Sequence, residues 1–339
     1  MPRLDLRRLQ RLVASFERVH LLVVGDAMLD EYLWGEVDRV SPEAPVPVVH
    51  VRRESVALGG AANVVRNAVA MGAHCTLCAV AGRDAAGDQL VDLLKDLGVD
   101  SAGIVRVEGR PTTRKTRVEA RSQQMVRFDR ETEAPIPAAA VKALLRAIDD
   151  VLPRVDGVVM EDYGKGLLTT GFLRSALRRF REAGLPVAVD PKDHVTPFRG
   201  ATLVKPNLRE VEQLSGIRIR KRSDLVKAVE RLRRRLGGAA LVVTRGAEGM
   251  SVFDDGREGV DVPIARSEVF DVQGAGDTAI AALALAGVAG GSLLEAAVIA
   301  NAAAAVVVGK VGTATASPEE IRAVLPDALA AARRGGELP

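Results

Sequence analysis

The chain has 339 residues, 47% of them hydrophobic and 27% charged, which is typical of a globular protein with a large core. Its 47 basic and 44 acidic residues leave a formal charge of only +3, and aromatic residues make up 3%, so the composition excludes an extended nucleic-acid surface. No apolar run is long enough to span a bilayer and the N-terminal segment lacks a signal-peptide core, so we expect a cytoplasmic protein without a membrane partner.

Apolar residues at Leu6, Leu9, Val13 and Phe16 predict an N-terminal helix, and HLLVVGD then predicts a buried strand. Short apolar strands alternate with helical stretches further along, in the order CTLCAVAG, DQLVDLLKDLG, VDGVVME, GFLRSALRRFREAG, LPVAVD, ATLVKPN, LREVEQLSG, a basic helix around 225–236, and ALVVTRG. This alternation predicts an α/β fold of three layers, with helices on both faces of a mainly parallel sheet.

Two segments interrupt this alternation. Residues 31–55 are rich in β-forming residues and prolines, and residues 111–130 alternate like a pair of strands. We expect them to form a small antiparallel sheet, called the lid below, that projects from the main domain. The other face of such a sheet needs cover, either from substrate or from a second subunit.

The two cysteines, Cys75 and Cys78, lie in one predicted strand. No second pair and no nearby histidine completes a familiar metal site. Residues three apart in a strand point to opposite faces, so we expect both thiols to be reduced and packed, as in a reducing compartment.

Ligands of parallel α/β sheets bind beyond the carboxyl ends of the strands. Six polar residues directly follow predicted strands and should gather along this one edge: Asp26, Glu161, Asp162, Asp190, Asn207 and Thr244.

The segment DVQGAGDTA predicts a glycine turn that leads into a helix. Its glycines let the amides of Ala275, Gly276 and Asp277 point outward together, which favours a bound phosphate. A carboxylate there would repel that anion, so Asp277 suits a base that takes a proton from a hydroxyl attacking the phosphate. An ordinary aspartate helix cap is the alternative.

A second glycine turn, with Gly59 and Gly60, precedes another helix and places Asn63 in its first turn. It permits the close approach of a ligand, or it is ordinary helix entry with a buried asparagine. Asp26 and Asp30 follow the first strand, where carboxylates suit hydrogen bonds to sugar hydroxyls unless they are solvated loop acids.

Asn207 and Glu210 begin a helix after a strand, where oxygen ligands suit a water-coordinated Mg²⁺ beside phosphates. The same spacing is that of a capping box, which the spacing alone favours. In VVTRGAEGM, Thr244, Gly246 and Gly249 follow a strand, where a nucleotide could lie against bare backbone.

Two lysines in loops offer mobile charges for phosphate groups. Lys165 lies in EDYGKG and is assigned to the nucleotide, whereas Lys192 lies in VDPKD and is assigned to the substrate.

Taken together, these segments resemble the ribokinase-like sugar kinase family. GGAAN near residue 60 is similar to its N-terminal signature and DVQGAGD to its C-terminal one, although members usually carry Thr or Ser where Gln273 stands. The resemblance runs from about residue 21 to 325. Within the family, the heptose 7-phosphate kinase branch of ADP-heptose synthesis is resembled most closely, through GDAMLDEYLWGEVDRVSPEAPVPVV, TTRKTRV, QQMVRFDRE, DYGKG, VDPK, KPNLREVE and VGKVGTATAS.

The resemblance implies a single ribokinase-like domain over residues 1–339, without the nucleotidyltransferase domain to which this kinase is often fused. It implies ATP as co-substrate, Mg²⁺ as cofactor and D-glycero-β-D-manno-heptose 7-phosphate as acceptor, with heptose 1,7-bisphosphate as product. It also implies a homodimer through the lid, and it leaves the use of a monovalent cation open.

The resemblance also implies roles for individual residues. Asp277 would deprotonate the sugar O1, the amides of Gly274, Ala275 and Gly276 would hold the γ-phosphate, and Asn207 and Glu210 would organise Mg²⁺ through water. The residues expected to border the nucleotide are Lys165, Asn207, Glu210, Thr244, Gly246, Gly249 and Asn301. The residues expected to bind the sugar are Asp30, Gly59, Gly60 and Asn63.

A basic cluster on the lid favours a phosphorylated acceptor. In alternating strands, Lys115 and Arg117 share one face and Arg114 takes the other. A sugar with a terminal phosphate needs such a cluster and a plain hexose does not. The alternative is a basic face that points to solvent.

Three other functions compete with this interpretation. The acceptor could be another phosphosugar such as fructose 6-phosphate. A nicotinamide-dependent dehydrogenase would carry GxGxxG after the first strand, and GDAMLD lacks it. A non-catalytic nucleotide-binding regulator would need neither Asp277 nor Glu210.

Overall fold

The computed structural model describes residues 4–120, 123–254, 259–265, 270–310 and 312–335. Residues 121 and 122, within the predicted lid segment, lie outside these ranges. The helices are α1 Leu6–Ala14, α2 Ala61–Ala70, α3 Ala85–Asp96, α4 Ala138–Val151, α5 Thr170–Glu182, α6 Leu208–Ser215, α7 Arg222–Leu236, α8 Ala275–Val288, α9 Leu293–Val308 and α10 Pro318–Gly335. The strands are β1 His20–Gly25, β2 Ala27–Val40, β3 Pro47–Gly60, β4 His74–Gly82, β5 Ile104–Val107, β6 Arg114–Ala120, β7 Gln123–Arg130, β8 Gly157–Glu161, β9 Val187–Asp190, β10 Leu203–Val204, β11 Ala240–Thr244, β12 Met250–Phe253 and β13 Val260–Val262.

The main sheet has nine strands in the order β13-β12-β11-β10-β9-β8-β1-β4-β5. Neighbours from β11 to β5 pair in parallel, as the sequence predicts, and their apolar runs suit a sheet covered on both faces. The strands β12 and β13 extend the sheet in antiparallel fashion, which the sequence analysis did not predict. A short turn with Gly246 and Gly249 joins β11 to β12, where a parallel neighbour would need a long crossover.

Two hydrophobic cores lie on the two faces of this sheet. One core packs α1, α2, α3, α8, α9 and α10 against it, and the other packs α4 to α7. Cys75 lies in the first core and Cys78 in the second, both buried as free thiols. The predicted three layers and the opposite orientation of the two cysteines are therefore confirmed.

The lid is a second sheet with the order β3-β2-β6-β7. Its two hairpins, β2 with β3 and β6 with β7, are antiparallel, but β2 and β6 run parallel, so the expected fully antiparallel sheet is wrong. Parallel pairing is possible because helices α2 and α3 lie between β3 and β6 and return the chain to the same end. The lid strands also begin earlier and end later than predicted, since β2 starts at Ala27 and β3 ends at Gly60.

The lid exposes much of its apolar surface. Every residue of β7 is exposed, and the large exposed hydrophobic residues of the lid are Val40, Val46, Val51, Met125, Val126 and Phe128. Among the helices of the described residues, none has both the length and the apolar composition to cross a membrane.

Candidate active site

A cavity of about 860 Å³ opens at the carboxyl edge of the main sheet, which is a typical size for a small-molecule site. The sequence-predicted residues that line it are Glu161, Asp162, Asp190, Lys192, Asn207, Glu210, Thr244, Gly246, Gly249, Gly274, Ala275, Gly276, Asp277 and Asn301. Parallel strands end at this edge, so the structure brings together most of the polar residues that follow them.

The glycine turn before α8 has the predicted form. Gly274 adopts the left-handed conformation, with φ of 74°, and α8 begins at the next residue. A Cβ at Gly274 would lie 2.9 Å from the Asn63 amide nitrogen, so only glycine lets that side chain approach. The amides of Gly274 and Gly276 donate to no acceptor among the described residues, whereas that of Ala275 donates to the Val272 carbonyl at 3.3 Å. The turn therefore presents free donors to the cavity, as an anion site requires.

Asp277 lies in the first turn of α8 but does not cap the helix, because Gly274 occupies the cap position. Its carboxylate is buried and accepts two hydrogen bonds, from Asn63 Nδ2 at 2.6 Å and from Tyr163 Oη at 2.9 Å. Burial raises the pKa of Asp277 to about 6, while these two donors oppose the rise. A carboxylate with such a pKa can accept a proton near neutral pH.

Lys205 is the principal cation of the cavity, and the sequence analysis missed it. It is buried, and its ammonium pairs with Asp190 at 2.7 Å. A Cβ at Gly276 would lie 3.8 Å from its Nζ, so the ammonium faces the anion-binding turn. Lys205 directly follows strand β10, and the rule that selected Asp190 and Asn207 could have selected it as well.

Glu161 is a second buried carboxyl group near this ion pair. Burial, followed by the charges of Asp190 and Asp277, raises its pKa well above the usual value. Its Oε2 has no hydrogen-bond partner among the described residues. The floor of the cavity thus holds three acidic groups and one lysine. A bound cation or a proton would reduce this excess of negative charge.

Asn207 and Glu210 form a capping box. Asn207 Oδ1 accepts from the Glu210 amide at 2.9 Å, and Glu210 Oε2 accepts from the Asn207 amide at 2.8 Å. The same two residues line the cavity, and burial, with the charge of Asp190, raises the pKa of Glu210. Within the described ranges, no group of three His, Cys, Asp or Glu side chains is arranged to hold one metal ion, so direct coordination of a metal by several residues is not built in. The Oε1 of Glu210 makes no hydrogen bond to a described residue, and it fits a hydrated cation.

Asp26 and Asp30 both contact other parts of the protein. Asp26 is buried and its Oδ2 accepts from the amides of Tyr163 at 3.0 Å and Lys165 at 2.9 Å, so it anchors the 163–167 loop and does not face a sugar site. Asp30 pairs with Arg117 at 2.6 Å. A side chain at Gly59 would collide with the Asp30 carboxylate, so glycine at this position makes room for that carboxylate.

Gly60 and Asn63 also have structural explanations. Gly60 has φ of 55°, and a Cβ there would collide with the Asp26 carbonyl. Asn63 is buried and donates to Asp277, so it contacts the candidate base directly. Asn301 is buried as well, and its amide donates to the Val262 carbonyl at 2.7 Å.

The structure does not support the expected position of Lys165 beside the nucleotide phosphates. Its ammonium pairs with Glu131 at 2.7 Å and Glu133 at 3.2 Å, and it does not line the cavity. Lys192 does line the cavity, together with the residues assigned to the nucleotide.

The lid cations lie on two faces, as the alternation predicts. Lys115 Nζ lies 5.4 Å from the centre of the Tyr163 ring, and Arg117 pairs with Asp30, so both face the main domain. Arg114 points the other way and pairs with Glu31 at 3.2 Å. The assignment of Arg114 to the substrate site is therefore not supported.

The chain matches the family model described as pfkB family carbohydrate kinase over residues 19–320. It is 44% identical over 316 residues to the bifunctional protein HldE of Desulfatibacillum aliphaticivorans, and 44% identical over 319 residues to that of Geobacter metallireducens. These matches cover 93% and 94% of this chain but only 65% of each relative, so the chain spans less than two thirds of their length.

Solved structures show the same fold at low identity. Arabidopsis thaliana ribokinase, complexed with ribose and ATP, has a TM-score of 0.72 at 21% identity and covers 91% of this chain and 98% of its own. Escherichia coli phosphofructokinase-2, complexed with potassium, has a TM-score of 0.75 at 22% identity and covers 92% and 99%. The fold is therefore ribokinase-like. Because the family model matches most of its length, the chain belongs to the pfkB family of carbohydrate kinases and is an ATP-dependent enzyme of that class.

Proposed function

We propose that this kinase transfers the γ-phosphoryl group of ATP to O1 of D-glycero-β-D-manno-heptose 7-phosphate. The product, heptose 1,7-bisphosphate, would serve ADP-heptose and lipopolysaccharide core synthesis in the cytoplasm. The identity of about 44% to proteins named HldE supports this acceptor. The proposal concerns the kinase reaction alone, because the chain spans only 65% of those bifunctional relatives.

The buried carboxylate of Asp277, next to free amide donors, is the observation that carries the proposal. With ATP in the cavity, its γ-phosphate would lie against the amides of Gly274 and Gly276 and opposite the Lys205 ammonium. The sugar O1 would enter from the lid side and give its proton to Asp277 as it attacks phosphorus. The turn amides would stabilise the charge that develops on the transferred group.

Asn207 and Glu210 are the residues that would hold Mg²⁺, through water. The ion, when bound, supplies positive charge to the phosphate oxygens. The capping box fixes both side chains at the cavity wall, since each one bonds the backbone of the other. This arrangement uses Oε2 of Glu210 for the helix and would leave Oε1 for a hydrated ion.

Lys115 is the lid cation that we assign to the acceptor's phosphate. Arg114 and Arg117 are neutralised by Glu31 and Asp30, whereas Lys115 makes no ion pair with a described residue. Burial lowers the pKa of its ammonium, although the charges of Glu131, Asp129 and Asp30 oppose the shift. A phosphate brought under the lid would supply an ion-pair partner.

An acceptor panel with Mg-ATP tests the proposal. We expect heptose 7-phosphate to exceed unphosphorylated heptose in kcat/KM by about 10²-fold, the effect of about 2.7 kcal/mol of binding to the phosphate. It should also exceed fructose 6-phosphate, which carries a phosphate but differs in the rest of the sugar. The assay is run in potassium and in sodium salts, and phosphorus NMR identifies the phosphorylated oxygen. A preference for fructose 6-phosphate would replace the proposed acceptor by the alternative.

Matched lid variants test the phosphate contact. Lys115→Met should raise the KM for heptose 7-phosphate about tenfold or more and leave the KM for ATP unchanged, since one charge-assisted contact is worth about 1.5–3 kcal/mol. Arg114→Met, one residue away on the opposite face of the lid, should have little effect on either. Equal effects of the two variants would refute the assignment of Lys115.

We also propose that the enzyme is a homodimer through the lid. Val126 and Phe128 are each 50% exposed on the same face of β7, and strands β2 and β3 of the same lid carry the exposed Val40 and Val51. A patch of this kind on a small projecting sheet favours burial against a second copy. Val126→Asp with Phe128→Asp should convert a dimer in light scattering into a monomer, and a monomeric parent protein would refute the proposal.

A further inference from the structure

We propose that the Tyr163 hydroxyl occupies Asp277 until an acceptor replaces it, and that it thereby keeps water from using this base. Tyr163 is then a positioning residue that suppresses wasteful hydrolysis of the nucleoside triphosphate. The inference rests on the proposed role of Asp277 as the base, but not on which sugar is the acceptor.

Both oxygens of Asp277 are occupied in the structure. Oδ2 accepts from Asn63 and Oδ1 accepts from Tyr163, and the carboxylate is only 5% exposed. A hydroxyl that loses its proton to Asp277 must come within hydrogen-bond distance of one of these oxygens. It must therefore displace one of the two donors or share an oxygen with it.

Asn63 is the donor that is held in place. It lies in helix α2, and its Oδ1 and backbone carbonyl both accept from Asn67 Nδ2, at 3.3 and 2.9 Å. Gly274 packs directly on its amide nitrogen. Moving Asn63 would disturb two helices, because α2 and the start of α8 meet at this contact.

Tyr163, in contrast, lies outside the helices and strands. Its amide donates to Asp26, and the phenol reaches Asp277 from the loop between β8 and α5. For the phenol to leave the base, therefore, no helix or strand that carries it has to move. The phenol is also an inert occupant, because burial and the charge of Asp277 raise the pKa of Tyr163 well above its usual value, and its proton stays on oxygen.

The ring of Tyr163 lies between the base and the lid. Lys115 Nζ is 5.4 Å from its centre, a distance at which the ammonium and the ring attract each other. An acceptor that binds under the lid meets both groups. An anionic end that attracts Lys115 would weaken its contact with the ring and so help the phenol to leave the base.

Without the phenol, water could use the vacant oxygen. A water oxygen would form a bond to the γ-phosphorus and pass its proton to Asp277, while the bond to the β–γ bridging oxygen breaks. The products would be the nucleoside diphosphate, which leaves with the electron pair, and inorganic phosphate. Tyr163 prevents this reaction only while it donates to the base.

Loss of the phenol should also change the titration of the base. The Tyr163 hydrogen bond lowers the pKa of Asp277, so its removal raises that pKa. The charged groups that face Asp277 from neighbouring elements, and that stay unchanged in such a variant, are Glu161 of β8, Asp190 of β9, Lys205 after β10 and Arg66 of α2.

The test compares Tyr163→Phe with Tyr32→Phe and with the parent enzyme. Tyr32 is the other of the two tyrosines in the sequence, and its hydroxyl donates to Gln273, not to Asp277. In Mg-ATP without sugar, Tyr163→Phe should release phosphate about tenfold or more faster than the parent, since a general base contributes about 10²- to 10⁴-fold. Tyr32→Phe should match the parent.

Two further measurements separate this role from a merely structural one. The acid limb of kcat/KM for the acceptor should move to higher pH in Tyr163→Phe, and its kcat should stay within a few-fold of the parent value. Adding Asp277→Asn to Tyr163→Phe should abolish the extra hydrolysis. The proposal is overturned if Tyr163→Phe and the parent release phosphate at the same rate, including no release by either. It is also overturned if the extra hydrolysis persists after Asp277→Asn is added. Inactivity of the parent towards heptose 7-phosphate overturns only the proposed acceptor.

Discussion

Asp277→Asn is the variant that tests the chemistry most directly. Asparagine keeps the size of the side chain and one acceptor oxygen, so the Tyr163 hydroxyl can still donate to it. Its new amide group faces Asn63 Nδ2, which is also a donor, and Asn63 must turn its side chain to restore the contact. The variant therefore removes the proton acceptor with little change in volume.

The expected loss follows from the role of a general base. Such a group contributes about 10²- to 10⁴-fold, so kcat should fall by about 10³-fold, or about 4 kcal/mol of activation free energy. The affinity for ATP should change little, because the base acts on the acceptor hydroxyl. A coupled assay for the nucleoside diphosphate gives kcat, and titration calorimetry gives the ATP affinity.

The pH dependence provides a second part of the same test. Burial raises the pKa of Asp277 to about 6, so the proton-accepting form predominates above that pH and kcat/KM should fall about tenfold per pH unit below it. Burial also raises the pKa of Asp162, which lines the same cavity, to about 6. Asp162→Asn is therefore the matched control, and it should keep the acid limb.

Two results would refute this reasoning. Asp277→Asn could keep more than about a tenth of the parent kcat, which is far above what loss of a general base allows. Alternatively, the acid limb could disappear in Asp162→Asn and persist in the residual activity of Asp277→Asn. In either case the carboxylate of α8 would serve only to hold Asn63 and Tyr163.

Three other predictions concern stability and reactivity. Lys205→Met should lower the free energy of unfolding by about 3–5 kcal/mol in urea titrations, because the substitution leaves the Asp190 carboxylate unpaired. The same variant should also bind ATP more weakly. Gly98→Ala should destabilise the protein by roughly 1 kcal/mol, because Gly98 has a left-handed backbone but open space for a methyl group. Gly274→Ala should destabilise it by more than this and should also lower kcat, because the added methyl group meets Asn63. Burial raises the pKa of both cysteines to about 12, so thiol reagents should label them only after denaturation.

The arrangement of the main sheet could be predicted because it depends on local patterns. Apolar runs of strand length, each followed by a helical stretch, leave a parallel sheet as the simplest solution, and the polar residue after each run then lies at its carboxyl edge. The placement of Asp190, Asn207 and Thr244 in one cavity follows from that rule alone. The same rule does not predict the antiparallel strands β12 and β13, because no helix lies between them to separate one strand from the next in the sequence.

The partners of each charged side chain could not be predicted in the same way. Lys165 and Lys205 both follow strands or turns at the cavity edge, yet Lys165 pairs with Glu131 and only Lys205 faces the anion-binding turn. The difference depends on where the segment between β7 and α4 runs, which no local pattern in the sequence specifies. Asp26 illustrates the same limit, since its three-dimensional neighbours are amides of a loop more than a hundred residues away.

The properties of the base depend on contacts between distant parts of the chain. Asn63 is 214 residues from Asp277 and Tyr163 is 114 residues from it, and each donor comes from a different element. The pKa of Asp277 therefore depends on the contacts among α2, the 163–167 loop and α8, because burial raises this pKa and the two donors lower it. A substitution that displaces one of these elements by a small distance should alter the pH profile before it measurably lowers the free energy of unfolding, since the two hydrogen bonds are a small part of the total stability but control the charge of one carboxyl group.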